Sequence, residues 1–447
     1  MIIGRYFSIC ALLAFAACIG SARSVAAQSF TASSSPTLAE LLKNVYGPRG
    51  LIVDSDNLLP DGSTHSAHFN GAFQSEFERF NITLVRQLAA LPIPSPASGF
   101  TYEFDASTGT FARSTSSFGP ILADRAETIG RGKFVFGYSL QQFDFHAFDG
   151  LGLSHIPAIF KHDEAELGGG RADVITTQNT ISASVTQSTT FLTFGATDRV
   201  DVSLAVPLIR TSVSVLSDAS IHRIGTASIP GAHFFRDPAA PGAFGTEKRF
   251  IAEGSAHGLG DIIVRAKGKA VQRPNALISL GVEARLPTGR EESLLGSGAF
   301  GLKFFEATSL PNKTLTPHFG AGYQWNSGTV LTGDITTGRK GDLPQEFTYY
   351  IGADTSVTRR MSVAFDLLGR VSPDSPRLTS TSYGAQDGVT YPDIAFGLGS
   401  LHALNGAVGV KVNAISTLLV TFNVLFRINE AGLQTKATPL IGMEYGF

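Results

Sequence analysis

Charged side chains are scarce in this chain, and those present follow a spacing. Arg265, Lys267 and Lys269 take alternate positions of one stretch, and Glu283 and Arg285 take alternate positions of the next. A period of two puts each set on one face of a β-strand. A tight turn at 272–275 would set Arg265 opposite or diagonal to Glu283. Asp354, Asp366, Arg370, Lys411, Arg427 and Glu444 recur at matching positions further along. Two chemistries suit such faces. A ring of charge would select solutes in a pore. A mutually paired network would fill a narrow interior, because buried charges need partners. Both signs occur together, which favours the network.

Other constellations carry less. Ser255 in Gly254-Ser255-Ala256-His257-Gly258 sits one position too early for a nucleophile elbow. Ser400 and His402 share one strand face and could form a lipid-hydrolysing pair. His65 with His68, and His155 with His162, lack third and fourth metal ligands. Gly168-Gly169-Gly170 lacks the strand–turn–helix context of a phosphate loop. The expectation is no catalytic residue, no cofactor and no metal.

Composition frames these residues. The chain has 447 residues with 48 Gly and 33 Phe, and only 16% is charged. Its 35 Lys+Arg against 37 Asp+Glu exclude the basic excess of a nucleic-acid binder. A mean hydropathy of +0.12 excludes a disordered polyelectrolyte. No apolar run is long enough for a membrane helix. Residues 1–27 read as a secretory signal: Arg5 leads a short apolar core over 9–19, and Val25, Ala26 and Ala27 precede Gln28. Cleavage is expected between Ala27 and Gln28. Both cysteines, Cys10 and Cys18, fall inside that segment, so no disulfide is expected in the mature chain.

From Arg131 onward the apolar residues alternate. Phe134, Phe136, Tyr138 and Leu140 share a face; Val200, Val202, Leu204, Val206 and Leu208 share the next; Ile441, Met443, Tyr445 and Phe447 close the series. Residues 176–196 alternate more weakly. About twelve such strands occur, most reaching the roughly 9–11 residues that cross a bilayer at a tilt. Tight turns near 197–199, 272–275, 311–313, 358–360 and 414–417 alternate with long loops near 146–175, 217–257, 288–298, 326–345 and 372–400, and a shorter one at 429–433. That rhythm predicts an all-β, transmembrane, antiparallel up-and-down barrel over 131–447, with short turns on the periplasmic side. Lipid forces every backbone group to pair within the protein, and a closed barrel achieves this without an edge. Tyr323, Trp325, Phe347 and Tyr349 at outer strand ends, and Phe134, Tyr445 and Phe447 at the turn side, would form aromatic girdles.

Residues 28–130 differ. Leu38, Leu41, Leu42 and Val45 are spaced for a helix, as are Phe73, Phe77, Phe80, Leu84 and Leu88. Pro92, Pro94 and Pro96 make a stiff linker, and the segments around 100–104 and 110–112 flank a turn as in a hairpin. The segment is expected to be a partly helical plug or a periplasmic domain; two further strands of a fourteen-stranded barrel would be the other use of it.

The terminal strand ending in Phe447, with Gly258-Leu259-Gly260-Asp261 leading one strand and Leu286-Pro287-Thr288-Gly289 closing the next, resembles a known group. It is the bacterial outer-membrane barrel family associated with aromatic-degradation (meta-pathway) operons, itself more distantly similar to long-chain fatty-acid uptake channels. The resemblance covers roughly 131–447. It implies an outer-membrane location, contact with outer-membrane lipid, and passive uptake of a small hydrophobic or aromatic solute. Alternatives of other classes are a barrel enzyme acting on lipids and a structural or adhesive barrel.

Overall fold

A computed structural model describes residues 37–41, 44–47, 50–56, 69–71, 80, 83–84, 87, 102–105, 110–113, 117–162, 172–312, 314–335 and 337–447. The expected signal cleavage at Ala27 and Gln28 lies outside them. Twelve antiparallel strands close into a barrel in sequence order. They are β1 (Phe134–Phe148), β2 (Val174–Gly195), β3 (Val200–His222) and β4, which runs as Glu247–Leu259 and Ile262–Arg273 around a break at Gly260 and Asp261. Then come β5 (Ala276–Leu286), β6 (Gly301–Ser309), β7 (Leu315–Asn326) and β8 (Glu346–Thr358). β9 (Met361–Gly384), β10 (Thr390–Ile415), β11 (Leu418–Arg427) and β12 (Ala437–Gly446) complete the wall. The ring closes between β12 and β1, where Met443 faces Tyr138. Phe134 and Phe447 exchange backbone hydrogen bonds of 2.8 and 2.9 Å at the same seam. Short turns gather at one end and long connections at the other, which orients the molecule with its turns in the periplasm.

The wall changes its chemistry along its height. At the turn end, Leu204 and Leu208 on β3, Phe304 on β6 and Phe365 on β9 are exposed and face lipid, while Asp201, Ser203 and Asp366 point inward and are buried. Further out the phase inverts. On β1, Phe143, Phe145 and Ala147 are buried inward, and Gln142 and Asp144 take the outer positions. On β3, Ile209, Val213, Val215 and Ala219 are buried, and Arg210 is exposed. Where water replaces lipid outside the wall, the polar residues move outward and the apolar ones move in.

These inward apolar residues form one large core with parts of the N-terminal segment, including Leu38, Leu41, Val45, Leu51, Val53, Phe69, Phe80 and Leu84. Burying side chains such as Phe160 or Ile175 contributes about 1.5–3 kcal/mol each. Leu38, Leu41 and Val45 lie in hydrogen-bonded turns, where Glu40 N–H reaches Thr37 at 3.0 Å and Asn44 N–H reaches Glu40 at 3.0 Å, whereas Leu42 lies outside the described residues. Phe80, Thr83, Leu84 and Gln87 are helical, whereas Phe73, Phe77 and Leu88 lie outside the described residues. The expected hairpin is present, with Tyr102–Asp105 paired to Thr110–Arg113.

The long connections differ from unstructured loops. The stretch 372–400 is mostly an extension of β9 and β10, joined by 385–389. The 217–257 region extends β3 and β4 and adds the pair Phe235–Asp237 and Ala240–Gly245. Residues 326–345 include a pair formed by Gly328–Asp334 and Arg339–Asp342.

Candidate functional site

Residues 117–130, just ahead of β1, cross the inside of the barrel near its turn end. Wall side chains hold them along the way. On one side, Ser117 bonds Asp354 of β8, Phe118 N–H donates to Ser362 of β9 at 3.0 Å, and Lys411 of β10 donates to the Pro120 carbonyl at 2.8 Å. In the middle, Asp124 pairs with Arg265 of β4 at 2.5 Å, and Tyr350 of β8 donates to the Asp124 carbonyl at 3.1 Å. Lys267 donates to the carbonyls of Arg125 and Glu127, each at 2.7 Å. Ser279 of β5 and Ser309 of β6 bond the backbone of Ala126. On the far side, Ile129 N–H donates to both oxygens of Asp201 on β3, at 3.2 and 3.1 Å. The strap is thus tied from β3 to β10.

The inward charges form a paired network. Arg265 and Glu283 are register partners, with a 4.0 Å ion pair, and Arg265 also stacks its guanidinium 4.0 Å from the Phe305 ring centroid. Arg285 donates to Asn326 at 2.8 Å and lies 3.8 Å from Asp261. Arg370 lies 3.8 Å from Glu346 and donates to Gln87 at 3.0 Å. Arg427 donates to Gln434 at 2.7 Å, and Lys411 lies 3.9 Å from Glu444. Asp366 meets His318 of β7 at 2.6 Å. Lys269 is half-buried at the turn end, apart from this group, and its backbone N–H donates to Arg199 at 2.8 Å. Asp124, Asp201 and His318 were not singled out as site residues by sequence, and Asp261 entered only through the Gly258-Leu259-Gly260-Asp261 motif. The three charges Asp124, Arg125 and Glu127 in a charge-poor chain, directly ahead of the first strand, were the available signal.

The two glycine-containing motifs prove to be one feature. Asp261, at the break in β4, accepts Gly289 N–H at 3.1 Å, Ser297 N–H at 2.8 Å and the Ser297 hydroxyl at 2.6 Å. Thr288 donates to the Gly260 carbonyl at 2.7 Å. A Cβ on Gly296 would lie 2.3 Å from the Asp261 carboxylate, so only glycine fits. This clasp folds the 287–300 connection inward and buries Leu294 and Leu295 in the apolar core.

A cavity of about 260 Å³ lies where the two halves of the lumen meet. Leu122 and Asp124 of the strap, Phe143 and Leu433 of the apolar core, and Arg265, Glu283, Arg285, Arg370 and Arg427 of the network all line it.

Polar anchors also tie the outer half. Tyr46 bonds Asn179 at 3.2 Å and Ser217 at 2.9 Å, and burial pushes its phenol up to about 12 despite the Ser217 bond. Beyond the wall, Asp173 accepts from His233 at 2.6 Å, from Gly225 N–H at 2.7 Å and from Thr226. Burial alone would raise the Asp173 carboxyl; the bonds from His233 and Thr226 outweigh it and hold the group below the usual carboxylate range.

Ser400 and His402 lie on the exposed outer face of β10, where His402 bonds the Tyr349 hydroxyl at 2.6 Å. No Ser400–His402 bond is present among the described residues. Likewise, among the described residues no three metal-ligating side chains converge.

A closed barrel with an apolar outer belt and a charge-paired lumen is an outer-membrane β-barrel. The chain belongs to the family described as "Putative MetA-pathway of phenol degradation", whose model matches residues 167–418. No curated protein matches it. Among solved structures it is similar to an outer membrane channel from Pseudomonas putida F1, at 12% identity and a TM-score of 0.43, covering 73% of this chain and all of that one. It is also similar to a FadL homologue from Pseudomonas aeruginosa, at 10% identity and a TM-score of 0.31, covering 81% of this chain and 97% of that one. A third is the CymD monoaromatic hydrocarbon channel, at 8% identity and a TM-score of 0.32, covering 71% of this chain and 88% of that one.

Proposed function

We propose that this protein is a passive outer-membrane channel for small hydrophobic or aromatic solutes, with the segment 28–130 serving as its plug. The carrying observation is the cavity at the junction of an apolar outer lumen and a charged inner lumen. Its volume of about 260 Å³ exceeds the roughly 150 Å³ that suffices for benzene in an apolar cavity. A solute shedding water into the outer half would reach this cavity, be held there above the strap, and pass inward whenever the strap is released. The family description, a phenol-degradation pathway, fits a solute of that size and chemistry. The lipid-hydrolase reading loses its candidate pair, because His402 is engaged by Tyr349 rather than Ser400.

The test is uptake by vesicles whose outer leaflet is lipopolysaccharide. The full-length protein should speed entry of a monoaromatic such as phenol over protein-free vesicles, and should leave a sugar of similar volume unaffected. No acceleration, or an equal gain for the sugar, contradicts the reading.

A further inference from the structure

The turn end of the barrel is ringed by arginines. Arg131 precedes β1, Arg199 lies in the β2–β3 turn, Arg273 ends β4, and Arg359 and Arg360 make the β8–β9 turn. All are exposed, and none makes an ion pair among the described residues. Asp198 at this end already accepts the Arg131 backbone N–H at 3.2 Å. At the opposite end Arg236 pairs with Asp56 at 2.8 Å, Arg249 with Asp218 at 2.6 Å and Arg377 with Asp149 at 2.9 Å, while Arg210, Arg339 and Lys340 are exposed there without an ion pair among the described residues. Adjacent exposed arginines such as Arg359 and Arg360 repel one another weakly, and an external anion bound beside them relieves that repulsion.

Their height in the membrane indicates which anion. Val200 follows Arg199 directly and faces lipid, and Val357, 55% exposed, lies two residues before Arg359. One or two strand residues span only ~3–7 Å. The guanidinium groups therefore sit in the headgroup layer rather than out in the periplasm. Phe194, Tyr445 and Phe447 are exposed at the same level, as aromatic anchors of that interface. Arginine is suited to grip phosphate through two N–H groups at once.

We propose that this rim binds the phosphates of anionic phospholipids in the periplasmic leaflet, so that a partial ring of such lipids collars the barrel exit. The partner is the lipid headgroup, separate from any solute in the lumen.

Native mass spectrometry tests it. The full chain is released from micelles doped equally with phosphatidylglycerol and phosphatidylcholine. It should retain phosphatidylglycerol at least about fivefold over phosphatidylcholine, the factor a single surface cation supplies. A variant carrying Arg199→Gln, Arg273→Gln, Arg359→Gln and Arg360→Gln should fall to parity while keeping the heat-sensitive gel mobility of a closed barrel. If that variant does not fold, Arg359→Gln alone should lower the ratio. A variant of opposite-end cations, Arg210→Gln, Arg339→Gln and Lys340→Gln, should keep the preference. Parity in the unaltered protein, an undiminished preference in the folded turn-end variants, or its loss in the opposite-end variant overturns the proposal.

Discussion

The outer and inner halves of the lumen share the same strands but obey opposite rules. In the outer half, Phe143, Ile181, Val185, Val213 and Val215 point inward onto apolar parts of the N-terminal segment. In the inner half, Asp201, Arg265, Lys267, Asp354 and Lys411 point inward onto the backbone and side chains of the strap. One half holds its filling by excluded water, the other by matched charges and hydrogen bonds. Apolar packing is non-directional and tolerates a shifted neighbour. A charge network does not, because every broken pair leaves a buried charge. The inner half is therefore the better suited to two discrete arrangements, held or released.

The sharpest way to break this comparison is to place one residue type in both halves. Val213→Asp buries a carboxylate with no cation partner and should cost about 3–5 kcal/mol, read as loss of the outer half's protease resistance. Ser203→Asp places the same group across the strand from Arg265, its register partner, and should change stability by no more than about 1 kcal/mol. Equal effects would mean that the halves do not differ. A smaller effect is expected where an inward-packed ring crosses the wall: Phe191 covers Gly137, and a Cβ there would lie 2.1 Å from the ring. Gly137→Ala should cost about 1–3 kcal/mol by overpacking, measured as a lower unfolding temperature. The smallest concerns the outermost loops. Because the folded Asp173 carboxyl is held low, its stabilising effect is complete above the ordinary carboxylate pKa of about 3.9 and fades as pH falls through the lower folded value. Proteolysis of the 223–235 connection should rise only in that acid window, and Asp173→Asn should show the rise at neutral pH.

How much of this was legible depended on which solvent met the wall. The membrane-level strands announced themselves, since Val200 to Leu208 alternate against Asp201 and Ser203 with one face in lipid. The weak alternation at 176–196 has a physical cause: β2 changes phase within it, from inward Ile181 and Val185 to outward Leu192 and Phe194. The two halves of the signal cancel. Residues 372–400 read as a loop because most of that stretch stands above lipid, where strand pairing persists without a lipid-facing apolar stripe. Arg265 and Glu283 could be paired from the turn between them. Asp124 could not, because its approach depends on a strap with no periodicity of its own.

The central claim is that the inner network holds the strap closed across the exit. Planar-bilayer conductance tests it directly, using the full-length chain and a variant carrying Asp124→Ala, Lys267→Met and Lys411→Met. The account predicts a nearly silent parent and a conducting variant that still migrates as a folded barrel. A folded variant as silent as the parent, or a parent that conducts freely, would contradict it.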